Sequence, residues 1–167
     1  GHQVKVIDNL HTGKMGNLEE VIADIEFCEL DIQDFDSIEK ELRDIDGIFH
    51  QAALTVVQDS FKMPDKYHSV NVEGTENIFK IAQKNNLKVV YASSSSVYGH
   101  QDVVPILESF DKKPINPYGK TKLYDEILSE KYANQGVKII GLRYFNIFGK
   151  GQTLEYAGVI TKFLDRL

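Results

Sequence analysis

Short β-rich apolar runs alternate with stretches of three- and four-residue apolar spacing, and no other feature constrains the fold as tightly. Residues 3–8, 26–30, 47–52, 88–92 and 137–142 read as strands. Residues 37–43, 65–85 and 118–134 read as helices, the last with Leu123, Ile127, Leu128 and Tyr132 at helical spacing. Asp36-Ser37 and Pro117 mark helix starts, and Gly136 marks a stop. Such alternation predicts right-handed βαβ units and so an α/β fold: a doubly wound parallel sheet with helices on both faces. Residues 100–117 form a polar loop carrying Pro105, Pro114 and Pro117. In folds of this class, function gathers in the loops at the carboxyl ends of the strands.

Composition narrows the classes of function. The 167 residues are one domain's worth of chain, and 42% apolar with 26% charged residues is ordinary for a globular domain with a proper core. A net charge of −6 without any basic block argues against nucleic acid as a partner. The apolar runs are too short to span a bilayer, and no signal-peptide pattern follows Gly1, so no membrane partner is expected. Cys28 is the only cysteine, which excludes a disulfide framework and suits a reducing, cytoplasmic setting. Within Glu26-Phe27-Cys28-Glu29-Leu30 it reads as a buried structural thiol on a strand. His2, His11, His50, His68 and His100 are scattered without ligand spacing, so no metal site is expected.

Two motifs carry chemistry. Tyr118 precedes Lys122 by four residues in Pro117-Tyr118-Gly119-Lys120-Thr121-Lys122, which puts phenol and ammonium on one helical face. Ser93-Ser94-Ser95-Ser96 lies upstream, where Ser94 could end a parallel strand and reach the same place. A free phenol is a poor base at neutral pH, but adjacent positive charge favours the phenolate. The phenolate could then take a hydroxyl proton while a serine hydroxyl steadies charge on the oxygen. The spacing is weak by itself, since chance supplies about one such pair in a chain of this composition. Alone, the plainer reading prevails: a helix-start aromatic, a solvated lysine and a polar turn.

The front of the sequence bears on a cofactor. A dinucleotide-binding sheet begins with a strand and a glycine-rich turn whose amides meet the pyrophosphate at a helix N-terminus. This sequence has no such turn, and opens at Gly1-His2 directly into a strand ending in Asp8. An acid at the end of the second strand of such a sheet binds ribose hydroxyls and favours NAD over NADP. Asp8 reads either as that acid or as a turn residue before Asn9.

A series of markers occurs in order: Val6-Ile7-Asp8-Asn9-Leu10, Leu30-Asp31-Ile32, His50-Gln51-Ala52-Ala53 and Asn71-Val72-Glu73-Gly74-Thr75. They are followed by the serine run with Val97-Tyr98-Gly99, the Tyr118 motif, and Leu142-Arg143-Tyr144-Phe145-Asn146. On these residues the chain resembles the extended short-chain dehydrogenase/reductase family, in its NAD-dependent nucleotide-sugar epimerase/dehydratase branch, over essentially its whole length. The resemblance implies a Rossmann-type domain lacking the first strand and glycine-rich turn, with most of a C-terminal substrate domain absent. It implies that Asp8, Asn9, Leu10, His11, Thr12 and Gly13 contact the adenosine half of NAD, and Asp31 and Ile32 the adenine. Gln51, Ala52, Ala53, Leu54 and Thr55 would line the pyrophosphate and nicotinamide side, with Asn71 supporting these loops. Tyr118 would be the acid/base and Lys122 would hold the nicotinamide ribose. Ser94 matches the catalytic Ser/Thr position, with Ser95 and Ser96 beside the substrate. Phe145 would face the nicotinamide and Asn146 the sugar-nucleotide phosphates. Asn71 and Gly74 also admit a purely geometric role.

The positions after Ser94 bear on the reaction. Dehydratases of the branch carry an Asp-Glu pair, or at least a Glu, there. Ser95 and Ser96 cannot serve as carboxylate acid or base. The expectation is therefore 4-epimerisation of a UDP-hexose. The resemblance also implies a homodimer, with the helical segments 65–85 and 118–134 packing against a second subunit as a four-helix bundle. A dehydratase, reductase or decarboxylase of the branch, or a non-catalytic NAD-binding relative, are the alternatives. Loss of a central strand is expected to open the sheet and expose backbone edges. The 167 residues alone are expected to bind NAD weakly and to turn over no sugar nucleotide.

Overall fold

The computed structural model describes residues 1–149 and Phe163. Five parallel strands alternate with helices: β1 Val4–Asp8, β2 Ile25–Glu29, β3 Gly47–His50, β4 Lys88–Ser94 and β5 Lys138–Tyr144. The helices are α1 Phe35–Glu41, α2 Val57–Lys62, α3 Pro64–His68, α4 Gly74–Asn85 and α5 Pro117–Ala133. All strand pairs are parallel, as alternation requires when each strand returns through a crossover.

The strands form two ladders. β1 pairs only with β2, from Val4 opposite Ile25 to Asp8 opposite Glu29. β4 lies between β3 and β5, with His50 opposite Tyr91 and Ser94 opposite Tyr144. No pairing joins β1 to β3 among the described residues. Phe49 on β3 is 82% exposed. One apolar cluster nevertheless spans both ladders. Ile38 from α1 and Leu42 just after it, Phe79 and Ile81 from α4, and Val89 and Tyr91 from β4 are buried together, with Ile7, Ile48 and Ile139 packed against them. Phe79 meets Tyr91 edge-on at 5.4 Å between ring centroids, the geometry aromatic pairs prefer.

Helix boundaries follow local chemistry. Asp34 caps α1 by accepting from the Ser37 amide at 3.2 Å, so the helix starts just before the expected Asp36-Ser37. Asn116 caps α5 through the Gly119 amide at 2.7 Å, and Pro117 takes the first turn, where its missing N–H costs nothing. Gly136, at φ 96°, follows the end of α5.

The single helix expected over 65–85 is instead α3, a π-helical turn Ser69–Glu73, and α4. The wider turn buries Asn71 and Val72, a local distortion that periodicity cannot reveal. α4 begins at Gly74, where a Cβ would lie 2.6 Å from Ile32 Cδ1. α2 was not expected; its six residues are too few to establish an apolar period.

Candidate active site

Side chains at the carboxyl end of the β1–β2 ladder converge. Asp8 Oδ1 accepts from the Leu10 amide at 2.7 Å, and Asn9 Nδ2 donates to Asp31 Oδ2 at 2.8 Å. The Gln33 amide donates to Asp31 Oδ1 at 2.8 Å, and the His11 amide to Asn9 Oδ1 at 3.0 Å. Leu10 sits at φ 53°. A Cβ at Gly13 would lie 2.7 Å from Asp8 Oδ1, so glycine keeps the space against that carboxylate open. Asp8, Asn9, Leu10, His11, Thr12, Gly13 and Asp31 thus share one rim. Its two carboxylates, Asp8 and Asp31, and the space kept open at Gly13 could hold the hydroxyls of an adenosine ribose. Ile32 differs from its neighbours, since its side chain is in the core against Gly74.

The second part of the site leaves β3. Gln51, Ala52, Ala53, Leu54 and Thr55 run out as an irregular segment, and Asn71 fastens it. The Leu54 amide donates to Asn71 Oδ1 at 2.7 Å, and Asn71 Nδ2 donates to the Leu54 carbonyl at 2.9 Å. The same Nδ2 donates to Thr121 Oγ1 at 3.1 Å, and Thr121 Oγ1 donates to the Tyr118 carbonyl at 2.7 Å. Asn71 is wholly buried, so this chain of bonds ties the β3 loop to the first turn of α5.

The third part joins β4 to α5. Ser94 ends β4, and its Oγ accepts from the Ser96 amide at 3.1 Å, capping a short 3-10 turn over Ser95–Tyr98. The Ser96 carbonyl comes so close to α5 that a Cβ at Gly119 would lie 2.8 Å from it. Only glycine permits this approach, which sets the serine turn against the turn bearing Tyr118. Tyr118 is half-buried and Lys122 is buried. Phe145 and Asn146 follow β5 and are exposed.

Several supporting groups had escaped the sequence reading. Glu126, one turn beyond Lys122, receives Ser93 Oγ at 2.7 Å and Lys112 Nζ at 3.2 Å. Arg143 also grips Glu126 through Nε and Nη2, stacks over the Tyr98 ring at 4.8 Å, and donates through Nη1 to the Tyr98 hydroxyl at 2.7 Å. Burial works to raise the Glu126 carboxyl, but its bonds to Arg143, Ser93 and Lys112 hold it below the usual carboxylate range. His50 is buried with Nε2 2.8 Å from Thr75 Oγ1. Burial, helped by the nearby Lys122 charge, lowers its pKa to about 3. Lys122 Nζ itself lies 3.0 Å from Asp125 Oδ2.

A model of the NAD dependent epimerase/dehydratase family matches residues 1–167. The chain belongs to that family. Its sequence is 35% identical to a putative UDP-glucose 4-epimerase of Methanocaldococcus jannaschii, across 99% of the chain and 55% of that protein. It is 34% identical to a UDP-N-acetyl-alpha-D-glucosaminuronate decarboxylase of Bacillus cytotoxicus, across 98% of the chain and 53% of that protein. The structure superposes on a UDP-N-acetylglucosamine 4-epimerase from Methanobrevibacter ruminantium with TM-score 0.91 and 37% identity, across 98% of this chain and 54% of the other. A dTDP-glucose 4,6-dehydratase from Streptomyces venezuelae, solved with NAD, gives 0.90 and 30%, across 98% and 53%. The chain therefore spans about half the length of these relatives. The family's cofactor is NAD, and the fold is the parallel α/β architecture of its epimerases. These relatives are enzymes of nucleotide-sugar chemistry, of epimerase, dehydratase and decarboxylase types.

Elsewhere, Glu26, Cys28 and Glu41 bring possible ligand atoms within 4.8 Å of one another. Lys5 already supplies a cation there, 3.1 Å from Glu26 and 2.7 Å from Glu41. Cys28 is half-buried rather than buried, and burial with the adjacent Glu41 charge raises its thiol, so it is a poor nucleophile. No helix among the described residues is long and apolar enough to cross a membrane.

Proposed function

We propose that the full-length protein is an NAD-dependent nucleotide-sugar 4-epimerase acting on a UDP-hexose or UDP-N-acetylhexosamine. Bound NAD would supply hydride transfer to and from C4. Tyr118 takes the C4 hydroxyl proton and later returns it, and Ser94 hydrogen-bonds the C4 oxygen as its charge changes. Lys122 holds the nicotinamide ribose beside Tyr118, while Asp8 and Asp31 hold the adenosine end. Ser95 and Ser96 line the sugar, Phe145 faces the nicotinamide, and Asn146 meets the substrate phosphates.

One observation supports epimerisation over dehydration. A dehydratase needs a carboxylate beside Ser94 to move the C5 proton, whereas Ser95 and Ser96 occupy those positions. Of the acids on the adjoining face of α5, Glu126 is held by Arg143 and Asp125 is fully buried. A homodimer through α5 is part of this proposal, supported by the exposed Tyr124 and Ile127 on that helix. So is a cytoplasmic location, supported by the lone thiol of Cys28.

Product analysis of the full-length protein with UDP-glucose and UDP-N-acetylglucosamine tests the reading. A C4 epimer is expected, and a 4-keto-6-deoxy or decarboxylated product would refute it. Tyr118→Phe is expected to lower kcat by a factor of about a hundred to ten thousand while NAD stays bound. Undiminished turnover would remove Tyr118 from the mechanism.

A further inference from the structure

Lys122 spends its ammonium on a partner that the family motif does not assign. Asp125 lies three residues further along α5, one helical turn beyond Lys122 and away from Tyr118. Their side chains are 4% and 0% exposed, with Nζ and Oδ2 3.0 Å apart. Asp125 Oδ1 has no hydrogen-bond partner among the described residues. A buried carboxylate with an unused oxygen is costly, and its cation is the main thing that offsets the cost. An ammonium drawn along the helix toward Asp125 is also drawn away from Tyr118, on the preceding turn.

We propose that Asp125 is a positioning residue that holds Lys122 in a withdrawn station, which Lys122 leaves to engage the nicotinamide ribose. The inference rests on the reading of Tyr118 and Lys122 given above. When Lys122 leaves, Asp125 loses its cation while still enclosed, and it takes up a proton.

The surroundings supply no substitute cation among the described residues. On α5 the neighbouring charge is Glu126, which is itself negative and held by Arg143. From β4, Tyr91 faces the carboxylate with a phenol that burial raises and keeps neutral. From β3, His50 lies near Lys122 with its ring neutral, its pKa lowered to about 3 mainly by burial. Burial pushes the Asp125 carboxyl up to about 7 against the pull of Lys122, so proton uptake falls within ordinary pH. Above that value the engaged state carries one more proton than the withdrawn state, so NAD binding weakens as pH rises through and beyond it.

The test is NAD affinity of the full-length protein, measured by calorimetry in buffers of different ionisation heat. Affinity is expected to fall about tenfold from pH 6 to pH 8, with proton uptake on binding. Asp125→Asn should flatten that dependence, and Lys122→Met should flatten it too. The double variant should behave like Lys122→Met alone. A pH-independent wild type, or a slope preserved in Asp125→Asn, would overturn the inference. Should Asp125→Asn fail to fold, a slope preserved in Lys122→Met would overturn it equally. These outcomes leave the epimerase reading standing, whereas a full-length protein that binds no NAD at any pH would remove both.

Discussion

Arg143 holds Glu126 in a two-pronged grip, with Nε 2.7 Å from Oε1 and Nη2 2.9 Å from Oε2. The pair joins β5 to α5 near the end of β4, because the same carboxylate also accepts from Ser93 at 2.7 Å. It therefore fixes the height at which α5 presents Tyr118 to the end of β4.

Removing one member of this pair should be costly, because the other remains largely buried and unpaired. Glu126→Gln is expected to destabilise the protein by about 3 kcal/mol. Arg143→Lys should also destabilise, since an ammonium cannot reproduce the planar fork or the stacking on Tyr98. Urea unfolding measures both, and an unchanged midpoint in either variant would show that the grip contributes nothing.

Gly119 presents the opposite of the usual helix rule. Alanine normally stabilises a helix interior by about 1 kcal/mol over glycine. Here the new Cβ would meet the Ser96 carbonyl at 2.8 Å and Pro114 Cβ at 3.1 Å. Backbone cannot move aside as cheaply as a flexible side chain, so Gly119→Ala should destabilise by about 1–2 kcal/mol. It should also push the Ser94 turn away from Tyr118. A raised Tm in this variant would refute the close packing.

His50 links stability to pH. Burial is the main reason its pKa drops from 6.5 to about 3, so the unfolded chain binds a proton that the folded chain refuses. Its contribution is complete above the unfolded value and is lost as pH falls toward the folded one. His50→Gln keeps a polar partner for Thr75 but removes the titration. Relative to the variant, the wild type should lose about 3 kcal/mol between pH 7 and pH 4. Urea midpoints across that range decide it; a difference constant with pH would mean that His50 does not titrate this way.

Local pattern carried much of the architecture. Each expected strand has an observed counterpart, as Val-, Ile- and Phe-rich runs between polar turns require. α5 begins at Pro117 because Asn116 and Pro117 are local signals that need no tertiary partner. The π turn through Asn71 was not legible, since its shape answers to Leu54 and Thr121, contacts distant along the chain. In the sequence, Asp125 and Glu126 are simply adjacent acids within the helical stretch 118–134. Only the packed structure gives one to Arg143 and the other to Lys122.

The sequence by itself determined the parallel α/β order, the family, and the residue types at Ser94, Tyr118 and Lys122, because these depend on period, spacing and side-chain chemistry. Tertiary structure decided which partner each charge obtains, because burial and direction belong to no residue alone. It turned Ile32 into the core and gave the ammonium of Lys122 to Asp125. A helix places Lys122 and Asp125 within reach of each other, but only enclosure by the surrounding elements makes their ion pair matter.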